Sequence, residues 1–222
     1  MATNQVVLGY WNIRGFSEPI RTLLEYLEIP YVQETYVEVE EWMPKKQSGA
    51  MEFPNLPYLI DGDLTLTESE AIMAHLALKA NKPELNGKDE DKARFLQLRG
   101  VITEMGPRLG GYAYESKDMD DLKQKCEIWV SWWGGSKLPG LNTLLGKNEW
   151  VMGYLTYLDF MLAEFTERTA DMDAECGTKI LTDYPNIIAH SKRLYELPAI
   201  KAYRQSDKFH ARPYLRDVAF WK

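Results

Sequence analysis

Residues 53–72 have the sequence FPNLPYLIDGDLTLTESEAI, which combines two strands, a tight turn and a helix start. Pro57–Ile60 is largely apolar and is predicted to form the first strand, and Asp61-Gly62 is typical of a two-residue hairpin turn. The alternation of apolar and polar residues over 64–66 predicts a half-buried return strand. Ser69 is then the predicted N-cap of a helix that continues to about residue 80. The stretch therefore predicts a β-hairpin that leads directly into a helix.

Two features of this stretch indicate a ligand site. Leu56-Pro57 opens the first strand with a proline, which removes a ladder donor, can be cis and leaves nearby backbone groups for a ligand. The helix start at Ser69 offers unsatisfied N–H groups and the positive end of the helix dipole, both suited to a carboxylate. Each feature alone is more typical of a rigid turn or an ordinary cap. Together, on one hairpin, they indicate a site for an extended, peptide-like anion.

The composition bounds the partners and the compartment. The chain has 222 residues, a net charge of -7 and a sequence pI of about 5.1, which argue against a nucleic-acid partner. The first residues lack the basic and apolar regions of a signal peptide, and no apolar run approaches the length of a membrane span. Cys126 and Cys176 are too few and too far apart in sequence to predict a disulfide framework or a zinc site. We therefore expect a cytoplasmic protein without a membrane segment.

The first third of the chain predicts a small mixed sheet covered by helices. Gln5–Gly9 is a short apolar strand with Tyr10 at its end, and Ser17-Glu18-Pro19 is typical of a helix start. That helix stops at Pro30, and Tyr31–Val39 is predicted to be a second strand. Residues 40–52 are polar and are predicted to be a connection without regular structure. The resulting βαβ unit, followed by the hairpin and its helix, is typical of an α/β domain.

The rest of the chain predicts an all-helical region. The composition changes to a linker over residues 81–91, and apolar residues then recur at steps of three and four. Gly134-Gly135 is predicted to interrupt one such stripe. Thr156-x-x-Asp159 resembles a capping box with Asp in place of Glu. Further helices are predicted to start at Pro185 and after Leu197.

Several reaction types leave no signature in the sequence. There is no G-x-S-x-G, H-E-x-x-H, P-loop or G-x-G-x-x-G motif. His75, His190 and His210 lack the spacing of metal ligands, and no pair of acidic residues stands out as an acid/base couple. A hydrolase, a kinase or a nicotinamide enzyme is therefore not indicated, and no metal is expected.

The chain resembles the cytosolic glutathione transferases, and the mu class in particular. Gly9–Gly15, GYWNIRG, resembles the N-terminal signature of that class, and Phe53–Gly62, FPNLPYLIDG, matches its central motif. The similarity extends over essentially the whole chain, including residues 156–159 and 197–203. Two long motifs in the right order make the resemblance specific.

The resemblance implies an α/β plus all-α fold, with a thioredoxin-like N-terminal domain followed by a C-terminal helical bundle domain. The implied limits are residues 1–83 for the glutathione-binding domain, 84–88 for the linker and 89–222 for the helical domain. The helical domain would supply the pocket for a hydrophobic substrate.

The resemblance also implies that Tyr10 is the catalytic residue. The family lowers the pKa of the glutathione thiol, and the thiolate attacks an electrophilic carbon. A thiol of pKa about 8.5 is only a few per cent ionised at neutral pH, and lowering this pKa by about two units takes roughly 2.7 kcal/mol. One hydroxyl hydrogen bond in a partly dry site supplies much of that. An isolated tyrosine at a strand end would be expected only to pack there, whereas this one lies inside the signature.

A set of glutathione-binding residues follows from the same resemblance. Leu56 matches the residue whose backbone pairs with the cysteinyl moiety, Ser69 should meet the γ-glutamyl carboxylate, and Lys46 is a natural partner for the glycyl carboxylate. Glu68 departs from the usual glutamine, and Glu104 replaces an aspartate that reaches the partner subunit's site. The implied set is Tyr10, Trp11, Trp42, Lys46, Asn55, Leu56, Pro57, Glu68, Ser69 and Glu104.

An apolar pocket and a subunit contact are implied as well. The residues implied for the hydrophobic substrate are Phe16, Met105, Tyr114 and Tyr214, although such side chains on helices are more often core. Phe53 resembles the aromatic key that family members insert into the neighbouring subunit, and an exposed loop phenylalanine suits an interface. We therefore expect a homodimer that uses glutathione as co-substrate, without a metal, and conjugates it to hydrophobic electrophiles in detoxification.

Two other functions fit the same fold. One is a non-catalytic carrier of glutathione or hydrophobic ligands, and the other is a glutathione-dependent isomerase or peroxidase. Tyr10, Leu56-Pro57 and Ser69 favour an enzyme, because a carrier needs no thiol-activating hydroxyl. The same activated thiolate serves conjugation, isomerisation and peroxide reduction, so the sequence leaves these three reactions open.

Overall fold

The chain forms two units. The computed structural model describes residues 5–222, except for the side chain of Trp133. The first unit runs to Lys82 and also includes Pro198–Tyr214, and the second comprises Pro83–Leu197 and Leu215–Lys222. Sequence analysis places everything from residue 89 onward in one helical domain. Within the first unit, Tyr203 of this second segment donates a 3.0 Å hydrogen bond to the buried carboxylate of Glu18.

A mixed four-stranded sheet forms the centre of the first unit within the described residues. Its strands are β1 (Val6–Trp11), β2 (Tyr31–Tyr36), β3 (Tyr58–Asp61) and β4 (Leu64–Thr67). The spatial order is β2-β1-β3-β4; β1 is parallel to β2, and β3 is antiparallel to both of its neighbours. A helical crossover joins the parallel pair and a tight turn joins the antiparallel pair β3–β4, as these two pairings require. The predicted thioredoxin-like sheet and its hairpin are confirmed.

Helices make up most of the remaining structure. In chain order they are α1 (Glu18–Tyr26), α2 (Val39–Gln47), α3 (Ser69–Lys79), α4 (Lys92–Glu115), α5 (Met119–Trp129), α6 (Gly135–Lys147), α7 (Tyr157–Cys176), α8 (Pro185–Tyr195) and α9 (Pro198–Arg204). Short 3₁₀ turns at Pro83–Asn86 and Asp89–Asp91 precede α4. Across residues 5–222, no helix combines the length and apolar character that crossing a bilayer requires.

The polar segment predicted as an irregular connection is the helix α2, and that prediction was wrong. β2 ends at Tyr36, three residues before the predicted limit, because the chain turns into the helix there. The backbone N–H groups of Val37 and Glu38 both donate to Glu41 Oε2, at 2.7 and 3.2 Å. These bonds satisfy donors ahead of the first turn in the manner of a capping box. The helix has a weak apolar stripe with Trp42 as its buried residue, so hydrophobic periodicity did not reveal it.

Gly134-Gly135 does not interrupt the second helical stripe as predicted. α5 continues through a π-helical turn at Val130–Gly134 directly into α6. A wide turn of this kind accommodates an extra residue without ending the helix. A Cβ atom at Gly135 would lie 2.8 Å from the carbonyl oxygen of Val130, so glycine is needed for this approach.

The capping box predicted at the start of α7 is present. The backbone N–H of Thr156 donates to Asp159 Oδ2 at 2.8 Å, and that of Val151 donates to Asp159 Oδ1 at 2.9 Å. His190 Nε2 also lies 2.9 Å from Asp159 Oδ1, and both side chains are fully buried. His190 is therefore part of the core at the α7 N-terminus.

Candidate active site

The Tyr10 hydroxyl lies at the end of β1, where the following loop turns back over it. The side chain is only 5% exposed, and its hydroxyl oxygen accepts a 3.0 Å hydrogen bond from the backbone N–H of Phe16. This bond uses a lone pair of the oxygen and not its hydrogen. The close approach depends on Gly15, which has a φ of +44°. A Cβ atom there would lie 2.5 Å from the hydroxyl oxygen.

The residues around the hairpin entrance form a short chain of polar contacts. Leu56-Pro57 is a cis peptide bond. The backbone N–H of Leu56, implied to pair with glutathione, donates to Asn55 Oδ1 at 2.9 Å. Asn55 Nδ2 in turn donates to Glu68 Oε1 at 3.2 Å. Three of the residues implied by the resemblance are therefore brought together on one edge of the hairpin.

The start of α3 lies one residue away from the predicted one. Ser69 is the first helical residue, and Glu68 occupies the N-cap position, with its carbonyl accepting from the N–H of Ile72 at 3.0 Å. The predicted N-cap role of Ser69 is therefore corrected. Glu68 has a φ of +69°, a region that costs a non-glycine residue about 1–3 kcal/mol and is found most often at functional sites. Ser69 still lies in the first turn, where the backbone N–H groups have no intrahelical acceptor.

An aromatic cluster joins α2 to the sheet and contains two more implied residues, Trp42 and Trp11. Trp42 is buried and stacks on Tyr58, with ring centroids 5.9 Å apart and an interplanar angle of 17°. Trp11 and Leu56 pack against the same cluster, and Trp11 meets the edge of Tyr36 at 6.4 Å. Trp42 is therefore oriented by packing against neighbouring rings.

A polar network lies under this cluster. Glu34 accepts hydrogen bonds from both Lys45 and the Tyr58 hydroxyl, and the Tyr36 and Tyr58 hydroxyls lie 2.9 Å apart. Burial alone would raise the pKa of Glu34, but the bonds from Lys45 and Tyr58 outweigh it and hold this pKa below its usual range. Burial and the bond to Glu34 raise the pKa of Tyr58. Lys45 is thus committed to the sheet, whereas Lys46 is exposed on α2.

The described residues offer no obvious metal centre. No group of three or more His, Cys, Asp or Glu side chains within residues 5–222 is arranged to hold a metal ion. Cys126 and Cys176 are both buried, and burial raises the pKa of the Cys126 thiol to about 12. Burial and a raised pKa distinguish Cys126 from a nucleophilic cysteine, and Cys176 lacks the exposure of one.

Comparison with known proteins identifies the family. Residues 6–78 match the family model described as "Glutathione S-transferase, N-terminal domain", and residues 108–207 match "Glutathione S-transferase, C-terminal domain". The chain is 36% identical to the "Glutathione S-transferase class-mu 26 kDa isozyme" of Schistosoma japonicum, over 93% of this chain and 91% of the relative. The chain belongs to the glutathione S-transferase family. Family membership makes it an enzyme with glutathione transferase function.

Other relatives of this glutathione S-transferase agree with the mu-class resemblance. It is 30% identical to Glutathione S-transferase Mu 5 of Mus musculus, over 100% of this chain and 97% of the relative. It is 31% identical to Glutathione S-transferase Mu 3 of Homo sapiens, over 98% and 96%. The crystal structure of the glutathione S-transferase Blo t 8 matches with a TM-score of 0.82 at 30% identity, covering 96% of this chain and 98% of that structure. Rat hPGDS complexed with a quinoline matches at 24% identity with a TM-score of 0.71, which supports the fold alone.

The residues implied for the hydrophobic substrate differ in exposure. Phe16 is 45% exposed and Tyr114 is 40% exposed, whereas Met105 and Tyr214 are buried. The Tyr114 hydroxyl accepts a 2.9 Å hydrogen bond from the backbone N–H of Arg216. Glu104 is exposed on α4, one residue before Met105. Phe53, implied as the subunit key, is 69% exposed on the loop before β3.

Sequence reasoning missed the structural role of Arg14. Arg14 belongs to the GYWNIRG signature, and its side chain is 1% exposed and lies beside the segment that follows α9. A buried arginine one residue before Gly15 suggests that the loop over Tyr10 is held from a distant part of the chain. The signature itself gives no indication of this partner.

Proposed function

We propose that this glutathione S-transferase uses the Tyr10 hydroxyl to hold bound glutathione as its thiolate, which then attacks a hydrophobic electrophile. The observation that carries the proposal is the buried Tyr10 hydroxyl, which accepts a 3.0 Å bond from the N–H of Phe16. A hydroxyl that accepts such a bond becomes a stronger donor through its own hydrogen. In a site with few water molecules, that donor stabilises a thiolate more than a thiol.

The chemistry is a nucleophilic attack by sulfur. The thiol proton leaves to solvent, and the sulfur lone pair forms the bond to the electrophilic carbon. In a substitution the leaving group departs with its bonding electrons, and in an addition the substrate takes up a proton. Tyr10 stays protonated and serves as a hydrogen-bond donor to sulfur. Lowering the thiol pKa by about two units makes the thiolate the main species near neutral pH.

The glutathione backbone is proposed to bind along the hairpin and the start of α3. Its γ-glutamyl carboxylate would meet the hydroxyl and backbone N–H of Ser69 at the positive end of the helix dipole. Its cysteinyl backbone would pair with Leu56 beside Pro57, in exchange for the present bond from Leu56 to Asn55. The Glu68 carboxylate would accept from the γ-glutamyl ammonium, because carboxylates are acceptors for charged amines.

The glycyl end is proposed to lie against α2. The exposed Lys46 ammonium suits the glycyl carboxylate, and Trp42 and Trp11 supply the adjacent aromatic surface. Glu104 is proposed to contribute from the partner subunit. Because Lys45 already pairs with Glu34, the two neighbouring lysines have different roles in this proposal.

The electrophile and the quaternary state are further parts of the proposal. We assign Phe16, Met105, Tyr114 and Tyr214 to binding of the electrophile; Phe16 and Tyr114 are exposed, whereas Met105 and Tyr214 are buried. Phe53 is assigned to a homodimer contact, since it is 69% exposed on a loop and aromatic side chains that become buried are strong interface anchors. The enzyme is proposed to act in the cytoplasm, with glutathione as co-substrate and without a metal.

Titration of the bound thiol tests the assignment of Tyr10. Ultraviolet difference absorbance of bound glutathione should give a thiol pKa about two units below the free value in the wild type. Tyr10→Phe should return the pKa to near the free value without abolishing binding. Tyr154→Phe is the matched control, because that hydroxyl bonds to Asp91 and the Lys88 backbone instead. An unchanged thiol pKa in the wild type would favour the non-catalytic carrier. Assays with an isomerisable unsaturated ketosteroid or with a hydroperoxide would detect the isomerase and peroxidase reactions.

A further inference from the structure

A buried arginine joins the catalytic loop to the segment that follows α9. Arg14 lies in the loop after β1, and its guanidinium carbon is 4.5 Å from the centroid of the Tyr214 ring and 5.2 Å from that of Phe209. Its Nη1 donates to the carbonyl oxygen of Ala211 at 3.2 Å. Residues 209–214 therefore surround the side chain with two rings and an acceptor. This segment is called the C-terminal strap below.

The backbone of the loop is bonded to the same strap. The N–H of Arg14 donates to the carbonyl oxygen of Pro213 at 2.9 Å, and the N–H of Gly15 donates to that of Tyr214 at 3.0 Å. Together with the bond from the guanidinium, three hydrogen bonds fix residues 14 and 15 against the strap. The position of this loop is therefore determined by the strap as well as by β1.

Two further arginines contact the same rings, one from α9 and one from the strap. The Arg204 guanidinium carbon is 4.4 Å from the Phe209 ring centroid, and that of Arg212 is 4.6 Å from the Tyr214 ring centroid. Each ring is therefore in contact with Arg14 and with one outer arginine. Burying a guanidinium costs free energy unless rings and acceptors compensate for the lost water. An apolar side chain would fill the space at lower cost, so the choice of arginine calls for a reason beyond packing.

The loop that Arg14 fixes also supplies the donor to Tyr10. Gly15 and Phe16 follow Arg14 directly, and the N–H of Phe16 donates to the Tyr10 hydroxyl at 3.0 Å. We infer that Arg14 is a positioning residue for thiolate formation. It holds the loop against the C-terminal strap, so that the Phe16 N–H stays aligned with the Tyr10 hydroxyl oxygen. A loosened loop would weaken that bond and with it the donor strength of Tyr10. The inference rests on the proposed function of Tyr10.

The inference is tested with two variants at position 14 and a control in the strap. Arg14→Lys keeps a positive charge but loses the planar group that stacks on the rings, and Arg14→Met keeps the length without the charge. Both should raise the thiol pKa of bound glutathione by about half a unit to one unit, while the glutathione Kd changes less than about threefold. Arg212→Gln removes the outer cation from Tyr214 and leaves the three loop bonds in place. Its thiol pKa should equal that of the wild type.

The pH profile separates positioning from a purely structural role. In both Arg14 variants the rate constant should fall about three- to tenfold at a pH below the thiol pKa and recover at a pH well above it, because the thiolate then forms without help. A loss of folded protein would instead lower the rate by the same factor at every pH. If the variants do not fold, Phe209→Leu removes one of the two stacked rings and should raise the thiol pKa in the same direction.

The inference is wrong if folded Arg14 variants bind glutathione with the thiol pKa of the wild type. It is equally wrong if Arg212→Gln raises that pKa as much as the Arg14 variants do. Tyr10→Phe, measured in parallel, separates the two proposals. If Tyr10→Phe raises the thiol pKa and the Arg14 variants do not, only the role of Arg14 fails. If Tyr10→Phe leaves the pKa unchanged, the proposed function itself fails.

Discussion

Replacing Gly15 with alanine should remove most of the activity while lowering stability only modestly. A Cβ atom at this position would lie 2.5 Å from the Tyr10 hydroxyl oxygen, 2.8 Å from Cε1 and 3.0 Å from Cζ, whereas ordinary contact begins at 3.4 Å. The hydroxyl would therefore have to retreat by roughly 0.9 Å to restore contact distance. A shift of this size would also distort the bond from the Phe16 N–H, which is 3.0 Å long.

The expected effect on activity follows from this displacement. A misplacement of about 1 Å at a reacting group can cost about 100-fold in rate, so kcat/KM for glutathione conjugation should fall by about 30- to 100-fold. The thiol pKa of bound glutathione should rise by about one unit or more, since the donor no longer reaches the sulfur. The conformational cost is separate: alanine at a φ of +44° should lower the free energy of unfolding by about 1–2 kcal/mol.

Gly49→Ala is a matched control for the backbone effect. Gly49 has a φ of +74°, and a Cβ atom there would have no atom within 4 Å. Gly49→Ala should therefore show only the conformational loss of about 1–2 kcal/mol in unfolding free energy and keep nearly all of its activity. The measurements are denaturant unfolding, conjugation to a nitro-activated aryl chloride, and titration of the bound thiol. If Gly15→Ala loses no more activity than Gly49→Ala at equal stability, the placement of Tyr10 by this loop is wrong.

Two further predictions concern the dimer and the hairpin. Phe53→Ser should raise the dimer dissociation constant by about 30-fold or more in sedimentation velocity, whereas Val37→Ser, at another exposed apolar residue, should not. Equal dimer dissociation constants for the two variants would contradict the assignment of Phe53 to the subunit contact. Asp61 lies 2.8 Å from His75 and 2.9 Å from Lys79; its burial would raise its pKa, but the bonds from these partners outweigh burial and lower it. The ionised Asp61 carboxylate therefore stabilises the fold above a pH of about 4, and this stabilisation is lost as the pH falls through the lowered pKa. Asp61→Asn should have a lower free energy of unfolding than the wild type at pH 7. In acid, the unfolding free energies of the two proteins should become equal.

Local patterns were sufficient for the hairpin and for the position of Tyr10 near the end of β1. The hairpin was predicted to within one residue: Asp61 is the last residue of β3 and pairs with Leu64, so the turn is Gly62-Asp63 and not the predicted Asp61-Gly62. Tyr10 was predicted at the end of the first strand because a short apolar strand is expected to end where a glycine-containing loop begins. Both predictions depend on residues close together in sequence.

Features that depend on unusual backbone or weak periodicity were missed. α2 has Trp42 as its one buried residue, so its face does not stand out from a polar connection. The start of α3 was displaced by one residue because Glu68 adopts a positive φ, which no propensity predicts for a glutamate. The contact from Asn55 to Glu68, which brings two implied site residues together, depends on that same backbone conformation.

The position of the loop that covers Tyr10 depends on residues from two distant parts of the chain. Two of these residues are in the signature. Gly15 leaves space for the Tyr10 hydroxyl, and Arg14 places a buried guanidinium beside the loop. The other residues are in the C-terminal strap, and the hydrogen bond from Arg14 to Ala211 joins positions 197 residues apart in sequence. No pattern in the signature specifies that partner, because an arginine in a loop is usually solvated. The strap belongs to the first unit by its contacts although it follows the helical segment in sequence, and this return of the chain brings it against the loop that covers Tyr10.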